Sequence, residues 1–501
     1  MAAPDPIRSI VIAGGGTAGW MAAAALARRL ERQHVTITLI ESSAIRTIGV
    51  GEATVPGIRD YFRDIGTSGT EVMKATNGTV KLGIEFADWR RNGHRFFHPF
   101  GLYGAPSRGV QFHQYWLKLQ AAGKGTPLAD YCLASALAAH NLFMPPPEAP
   151  PNDLGTFDWA VHFEAAAFAD FLAARAKAGH VRHIDARIAG TEKDSATGHI
   201  AAVTLDDGRR IQGDLFIDCT GFRALLIGQA LEVPYIDWSE LLPCDRAVAI
   251  PCARTGALTP YTRSTARAAG WQWRIPLQSR VGNGYVYSSR HISDDEAVAS
   301  LTADLEGEPL ADPNLIRFTT GKRAQVWAGN CVALGLAAGF LEPLESTSIT
   351  LIQTGIERLL DFWPDRHFDP ALRTEYNRIA DQEYARIRDF LILHYWGNQR
   401  HGEPFWDAMG AQRLPDELQH KIDLWQSRGR FVRYLWESFG DPSWLSLYVG
   451  LGLTPRQHDP LADFFTEAEL EGAFAKMREA VTRAKALAMP HERFIAEHCR
   501  A

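Results

Sequence analysis

The strongest constraint on the fold lies within the first forty residues. Ser9-Ile10-Val11-Ile12-Ala13 is a short apolar run suited to a buried parallel strand. Gly14-x-Gly16-x-x-Gly19 follows directly, and then an alanine-rich stretch from Trp20 to about Gln33 that predicts a helix. A second β-branched run, Val35 to Ile40, closes at Glu41, 22 residues after Gly19. That order is a βαβ unit with a glycine turn between strand and helix. Gly14, Gly16 and Gly19 permit a tight turn and close approach of a pyrophosphate to the helix N-terminus, and Glu41 stands where ribose hydroxyls would donate. The pattern defines a dinucleotide site and leaves NAD and FAD unseparated.

Asp214 to Cys219 reads as another buried strand, ending in Thr220-Gly221. FAD domains of the glutathione-reductase type reuse such a second strand-to-glycine turn, so this one points toward FAD. Cys331 to Leu334 is a further strand broken at Gly335, and strand-like alternation runs from Trp271 to Ile275 and from Gly284 to Ser288. The proline tract Met144 to Pro151 predicts an extended connector. From Ser346 onward the pattern is helical almost to the end. Ile349, Ile352, Ile356, Leu359 and Leu360 fall on one apolar face.

Composition narrows the function. With 501 residues, 46% hydrophobic and 22% charged, the chain is long enough for a large core, which excludes disorder. The net charge, 52 − 58 = −6, lacks the basic footprint of nucleic-acid or anionic-membrane binding. No apolar run reaches the roughly 20 residues of a membrane span. The six cysteines form no C-x-x-C pair, and no basic-then-apolar leader opens the chain. A reduced, cytoplasmic protein without a zinc site is expected.

Three more stretches carry candidate chemistry. In Leu341-Glu342-Pro343-Leu344-Glu345-Ser346-Thr347-Ser348-Ile349, Ser346 or Thr347 is placed to cap the following helix, and the free amides of Thr347 and Ser348 would favour an anion. Glu342 and Glu345 read equally as two solvated charges. In Gly270-Trp271-Gln272-Trp273-Arg274-Ile275-Pro276 both tryptophans and Ile275 share one strand face, either core or a wall beside a cofactor. Lys81 lies among apolar residues in Val80 to Phe86, and its spacing alone makes it an ordinary lysine.

Taken together, the glycine fingerprint, Gly49-Val50-Gly51-Glu52-Ala53-Thr54, Lys81, the G-W-x-W-x-I-P stretch and Leu344-Glu345-Ser346-Thr347 resemble the flavin-dependent halogenases, typified by the tryptophan halogenases. The matching stretches run from residue 10 to about 360. The resemblance implies an α/β fold: an FAD-binding body of the glutathione-reductase/PHBH type with a mainly helical substrate region. Residues 1–360 would form the body, with substrate-region segments inserted at about 85–160, and residues 361–501 the helical region packed on it. It also implies FAD as FADH2, O2 and halide as cofactors, and a separate NAD(P)H-dependent flavin reductase as partner. A small aromatic is the implied substrate; a homodimer is left open.

The implied chemistry runs through a flavin hydroperoxide that oxidises halide, held near the Thr347 and Ser348 amides, to hypohalous acid. The tryptophan wall keeps the organic substrate from the flavin. Hypohalous acid reaches Lys81, which presents electrophilic halogen by hydrogen bond or as a haloamine, while Glu345 stabilises the cationic ring and helps remove its proton. By the same resemblance Gly16, Thr17, Ala18, Glu41, Gly51, Ala53, Ile188, Leu336 and Ile349 touch FAD, and Gly335 and Gly339 allow close approach to its ring.

The sequence departs from the family at the substrate end. Tryptophan halogenases hold the free amino acid with a Tyr-Tyr pair, and this chain has none. Its comparable tract, Glu437 to Gly450, contains Pro442-Ser443-Trp444-Leu445-Ser446. Indole or an indole derivative is therefore the expected substrate, with His98, Pro99, Phe100, Ser346 and Trp444 at the pocket. Tryptophan itself, an FAD-dependent aromatic monooxygenase and a non-catalytic flavoprotein are the rival readings.

Overall fold

The computed structural model describes residues 5–44, 51–150 and 152–500; Gly49, Val50 and Pro151 of the stretches above lie outside them. The strand Ser9–Ala13 and the helix Thr17–Arg29 flank the glycine turn, and Thr36–Glu41 is the next strand. The helix differs from the expected Trp20 to Gln33 at both ends. It begins as soon as the glycine turn ends, and it stops at Arg29 before a turn through His34, whose φ of 51° leaves the helical region. Its alanines from Ala22 to Ala27 are buried, which lets it lie closely against the helix Ala165–Ala178.

These elements belong to a six-stranded sheet in the order Trp327–Ala328, Cys331–Ala333, Leu215–Asp218, Ser9–Ala13, Thr36–Glu41, Arg182–Asp185. All neighbours but the first pair run parallel. Ala13 pairs with Ile40 on one side and Asp218 on the other, and Asp218 with Ala333. The carboxyl ends of the strands are thus level. The chain leaves the first strand in one direction and returns on the other side, which opens a crevice at the glycine turn.

A larger sheet of mostly antiparallel strands stands beside this layer. Its order is Asn314–Arg317, Arg246–Ala249, Arg280–Tyr287, Gly270–Pro276, Thr262–Arg267, Gly83–Ala87, Arg95–Pro99, with Cys252–Ala253 pairing off the path. A three-stranded sheet, Gly51–Ala53, Ala160–Glu164 and Thr79–Lys81, joins it, because Lys81 continues through Leu82 into Gly83–Ala87.

The expected C-terminal helices include Thr347–Asp361, Pro370–Trp396 and Asp441–Leu451. The last packs on Arg95–Pro99, and Glu467–Lys485 packs on Phe112–Ala121 and Leu133–Ala139. Residues 144–150 form no helix or strand, as their prolines dictate. Among the described residues no helix is long and apolar enough to cross a membrane, and no cluster of side chains is arranged to hold a metal.

Candidate active site

A cavity of about 520 Å3 opens at the carboxyl ends of the parallel strands. Gly14 has φ 103°, and a side chain there would meet the Cys219 carbonyl at 2.2 Å. A β-carbon on Gly15 would lie 1.7 Å from the Glu41 carboxylate, so this fourth glycine, at a position the G-x-G-x-x-G spacing leaves free, lets the carboxylate fold over the turn. Gly16 has open space before it. The first turn of the Thr17–Arg29 helix carries no acidic residue, which leaves its amide end free to face an anion.

Gly14, Gly16, Thr17, Ala18, Glu41, Gly51, Ala53, Ile188, Leu336 and Ile349 all line the cavity, as do Gly335 and Gly339. Gly19 does not; a side chain there would strike the Gly14 carbonyl at 1.9 Å, so it serves helix–strand packing. Trp271, Trp273 and Ile275 form one wall. A glycine cradle, a carboxylate folded over it and a largely apolar chamber fit a dinucleotide carrying a flat ring system such as FAD.

Next to the chamber lies a second, buried group of side chains. Lys81 is wholly buried, and its ammonium donates to the Thr54 carbonyl at 2.9 Å and to the Ser346 hydroxyl at 2.8 Å. It also stands 5.3 Å from the centre of the Phe100 ring. Burial pulls its pKa down to about 7, although the charge of Glu345 acts in the opposite direction. Ser346 itself lines the cavity, so the residue that accepts from the lysine also borders the chamber.

Ser346 corrects the expectation that its side chain caps the following helix. It has φ 59°, in the left-handed region, and makes no capping hydrogen bond; its oxygen is turned to Lys81 instead. Thr347 is buried and does not cap either, while Ser348 lines the chamber. As the first two residues of the helix, they have no carbonyl one turn back for their amides.

The two glutamates of this segment are not solvated; both are wholly buried. Glu345 receives His98 Nδ1 at 3.0 Å and His394 Nε2 at 2.7 Å. Burial pushes its pKa up, but the histidines beside it prevail and hold it down at about 2. Glu342 accepts instead from Trp271 Nε1 at 2.8 Å and the Tyr395 hydroxyl at 2.5 Å. These neutral donors offset only part of the burial, and its pKa rises to about 7. Glu342 therefore fixes the ring orientation of a wall residue.

His98 is buried against Phe100, Phe390 and Phe439. Pro99 is buried next to it, and Trp444 packs edge-on against Phe390 at 5.0 Å. Of the residues expected at the substrate pocket, His98, Phe100 and Trp444 thus meet in one aromatic cluster, while Ser346 is tied to Lys81. His394 was not among them. It lies 49 residues from Glu345 inside the long helix Pro370–Trp396, and no motif marks it.

The fold and cradle define an FAD-dependent enzyme with a separate buried lysine–glutamate site. Comparison with known proteins makes the class specific: the tryptophan halogenase family profile matches residues 9–467, and the chain belongs to that family of flavin-dependent halogenases. It is 35% identical to tryptophan 6-halogenase SttH of Streptomyces toxytricini, over 94% of each chain. Its structure superposes on BrvH, a flavin-dependent halogenase from Brevundimonas sp. BAL3, with TM-score 0.95 and 49% identity over 98% of this chain and 99% of that one. Xcc4156, a flavin-dependent halogenase from Xanthomonas campestris, matches with TM-score 0.95 and 44% identity over 99% of both. The cofactors are accordingly FAD, supplied as FADH2, with O2 and halide. Enzymes of this family depend on a separate flavin reductase and act on small aromatic substrates.

Proposed function

We propose that the chain halogenates an electron-rich aromatic, indole or an indole derivative, at the Lys81–Glu345 site. When FADH2 is bound, its chemistry with O2 and halide supplies hypohalous acid in the chamber. The residues of the chain do the rest. Gly14, Gly16, Thr17, Ala18 and Glu41 hold the dinucleotide end, with Gly19 keeping the turn in shape, and Gly51, Ala53, Ile188, Leu336 and Ile349 surround the remainder. The amides of Thr347 and Ser348 hold the halide at the helix N-terminus.

The single observation that carries this reading is Ser346, which lines the chamber and hydrogen-bonds Lys81 at 2.8 Å. It makes a polar contact between the place where oxidant forms and the amine that presents it. With a pKa of about 7, Lys81 has a free-amine fraction at neutral pH; that lone pair takes the halogen from hypohalous acid as the halogen–oxygen bond breaks, and hydroxide leaves with the amine proton as water, giving a haloamine. Glu345 supplies the negative charge facing the cationic ring. The Trp271–Trp273 wall keeps the aromatic substrate out of the chamber, which opposes the monooxygenase reading.

His98, Pro99, Phe100, Ser346 and Trp444 form the substrate pocket. The absence of a Tyr-Tyr pair favours a substrate without an amino-acid group. We further assign residues 1–360 to the FAD body and 361–501 to the helical substrate region. A cytoplasmic setting is consistent with six unpaired, buried cysteines. Purified protein with FAD, a flavin reductase, NADH, bromide and indole should give a product with a bromine isotope doublet. An oxygenated product formed without halide would contradict the assignment.

A further inference from the structure

Lys81 ends Thr79–Lys81, the edge strand of its three-stranded sheet, which is paired on one side only, with Ala160–Glu164. The outward amides of an edge strand need another partner. Those on either side of Lys81 find theirs on one segment of the chain. Leu82 N–H donates directly to the Pro260 carbonyl at 2.7 Å. Val80 N–H instead donates to His491 Nε2 at 3.2 Å, and His491 Nδ1 lies 2.9 Å from the Leu258 carbonyl. That carbonyl only accepts and the Val80 amide only donates, so Nδ1 carries the hydrogen and Nε2 the lone pair. The imidazole is wholly buried, and burial pulls its pKa down to about 4, which keeps it neutral at neutral pH. One side chain takes the place of a direct backbone bond between Val80 and Leu258.

His491 comes from 411 residues further along the chain and is itself firmly held. It opens the helix His491–His498, and its own amide donates to the Asn141 carbonyl at 2.8 Å. The short strand Met489–Pro490 before it pairs with Leu142–Phe143, and Phe494 packs edge-on against Phe143 at 4.6 Å. Past the other end of the helix, the Cys499 carbonyl accepts from the Gln278 side-chain amide, which also donates to the Gly78 carbonyl just ahead of the lysine strand. The last helix is therefore tied to that strand from both of its ends.

We propose that His491 is a positioning residue for Lys81, fixing the strand that carries the lysine so that its ammonium meets Thr54 and Ser346. The inference rests on the reading of Lys81 as the residue that presents the halogen. The lysine is held at its tip by the Thr54 carbonyl at 2.9 Å and the Ser346 hydroxyl at 2.8 Å, and at its backbone by the bonds of Val80 and Leu82. Without the imidazole, the strand is freed on the Val80 side. A displacement of about 1 Å at a reacting group costs on the order of 10²-fold in rate. His491 does not line the chamber, so its loss leaves the FAD site in place.

Three substitutions separate this role from plain packing. His491→Gln keeps an acceptor at the Nε2 position, His491→Asn keeps only a donor at the Nδ1 position, and His491→Leu keeps neither. Amide hydrogen exchange of the full chain, read by mass spectrometry at Val80, needs no substrate. It should quicken roughly tenfold in His491→Asn and His491→Leu and stay near the wild-type rate in His491→Gln. With FADH2, O2, bromide and indole, brominated product per hypobromous acid formed should fall roughly tenfold in the same two variants, with FAD affinity held, and recover in His491→Gln. Unchanged exchange at Val80 in His491→Asn would overturn the proposal, as would a full product yield despite faster exchange. Loss of FAD affinity in step with product would also overturn it, by making His491 a general prop of the fold. If the wild type makes no brominated indole, the substrate reading fails, while exchange at Val80 still decides whether His491 holds the strand.

Discussion

Glu342 and Glu345 stand three residues apart on one segment, equally buried, and the structure uses them oppositely. Around Glu342 the partners are a tryptophan N–H and a tyrosine O–H, neutral groups that stabilise an ionised carboxylate only modestly, and burial prevails. Around Glu345 the partners are two imidazoles, whose charge and hydrogen bonds prevail over burial. Burial sets the scale of a carboxylate's shift; its partners set the sign. On one side of the segment the result is a wall tryptophan held in orientation, and on the other a carboxylate held ionised.

The largest expected effect breaks the charged side. Glu345→Gln should lower product formation by roughly 10²- to 10⁴-fold with flavin oxidation unchanged, measured as product per FADH2 consumed. A smaller effect separates the wall side. The raised pKa of Glu342 gives stability that is present below about 4.5 and lost as pH rises through about 7. Glu342→Gln lacks that loss, so its stability relative to wild type should rise by about 3 kcal/mol across this window, read by denaturant unfolding. Were the relative stability flat with pH, Glu342 would not be a buried acid.

Lys81 sharpens the comparison kinetically. Because its free amine predominates only above about 7, haloamine-dependent product formation should fall roughly tenfold per pH unit below that value. Hypohalous acid release from the chamber should not follow that profile. The smallest effect concerns the cradle. Gly16→Ala meets no protein atom, so the fold should be unaffected, yet FAD affinity should drop by about 1 kcal/mol in a fluorescence titration. A side chain at Gly14, by contrast, strikes the Cys219 carbonyl and would disturb the turn itself.

The sequence made the FAD half legible and the substrate half only partly so, for a physical reason. Gly14, Gly16 and Glu41 act within one local βαβ unit, and Trp271 and Trp273 share a face by simple strand alternation; such periodicities are visible in a linear chain. The Glu345 site is assembled from a strand end, a loop and a distant helix. His394 became its partner only through the packing of Pro370–Trp396, and nothing local distinguishes it from a core histidine. Ser346 shows the same limit: a serine before a helix suggests a cap, and only the tertiary position of Lys81 turns its hydroxyl elsewhere.

The most direct test of the account is Lys81→Ala assayed with FADH2, O2, bromide and indole, following flavin oxidation, free hypobromous acid and brominated product together. The account predicts that oxidation and hypobromous acid release continue while the regioselective product disappears. Regioselective bromination at the wild-type rate in that variant would contradict it.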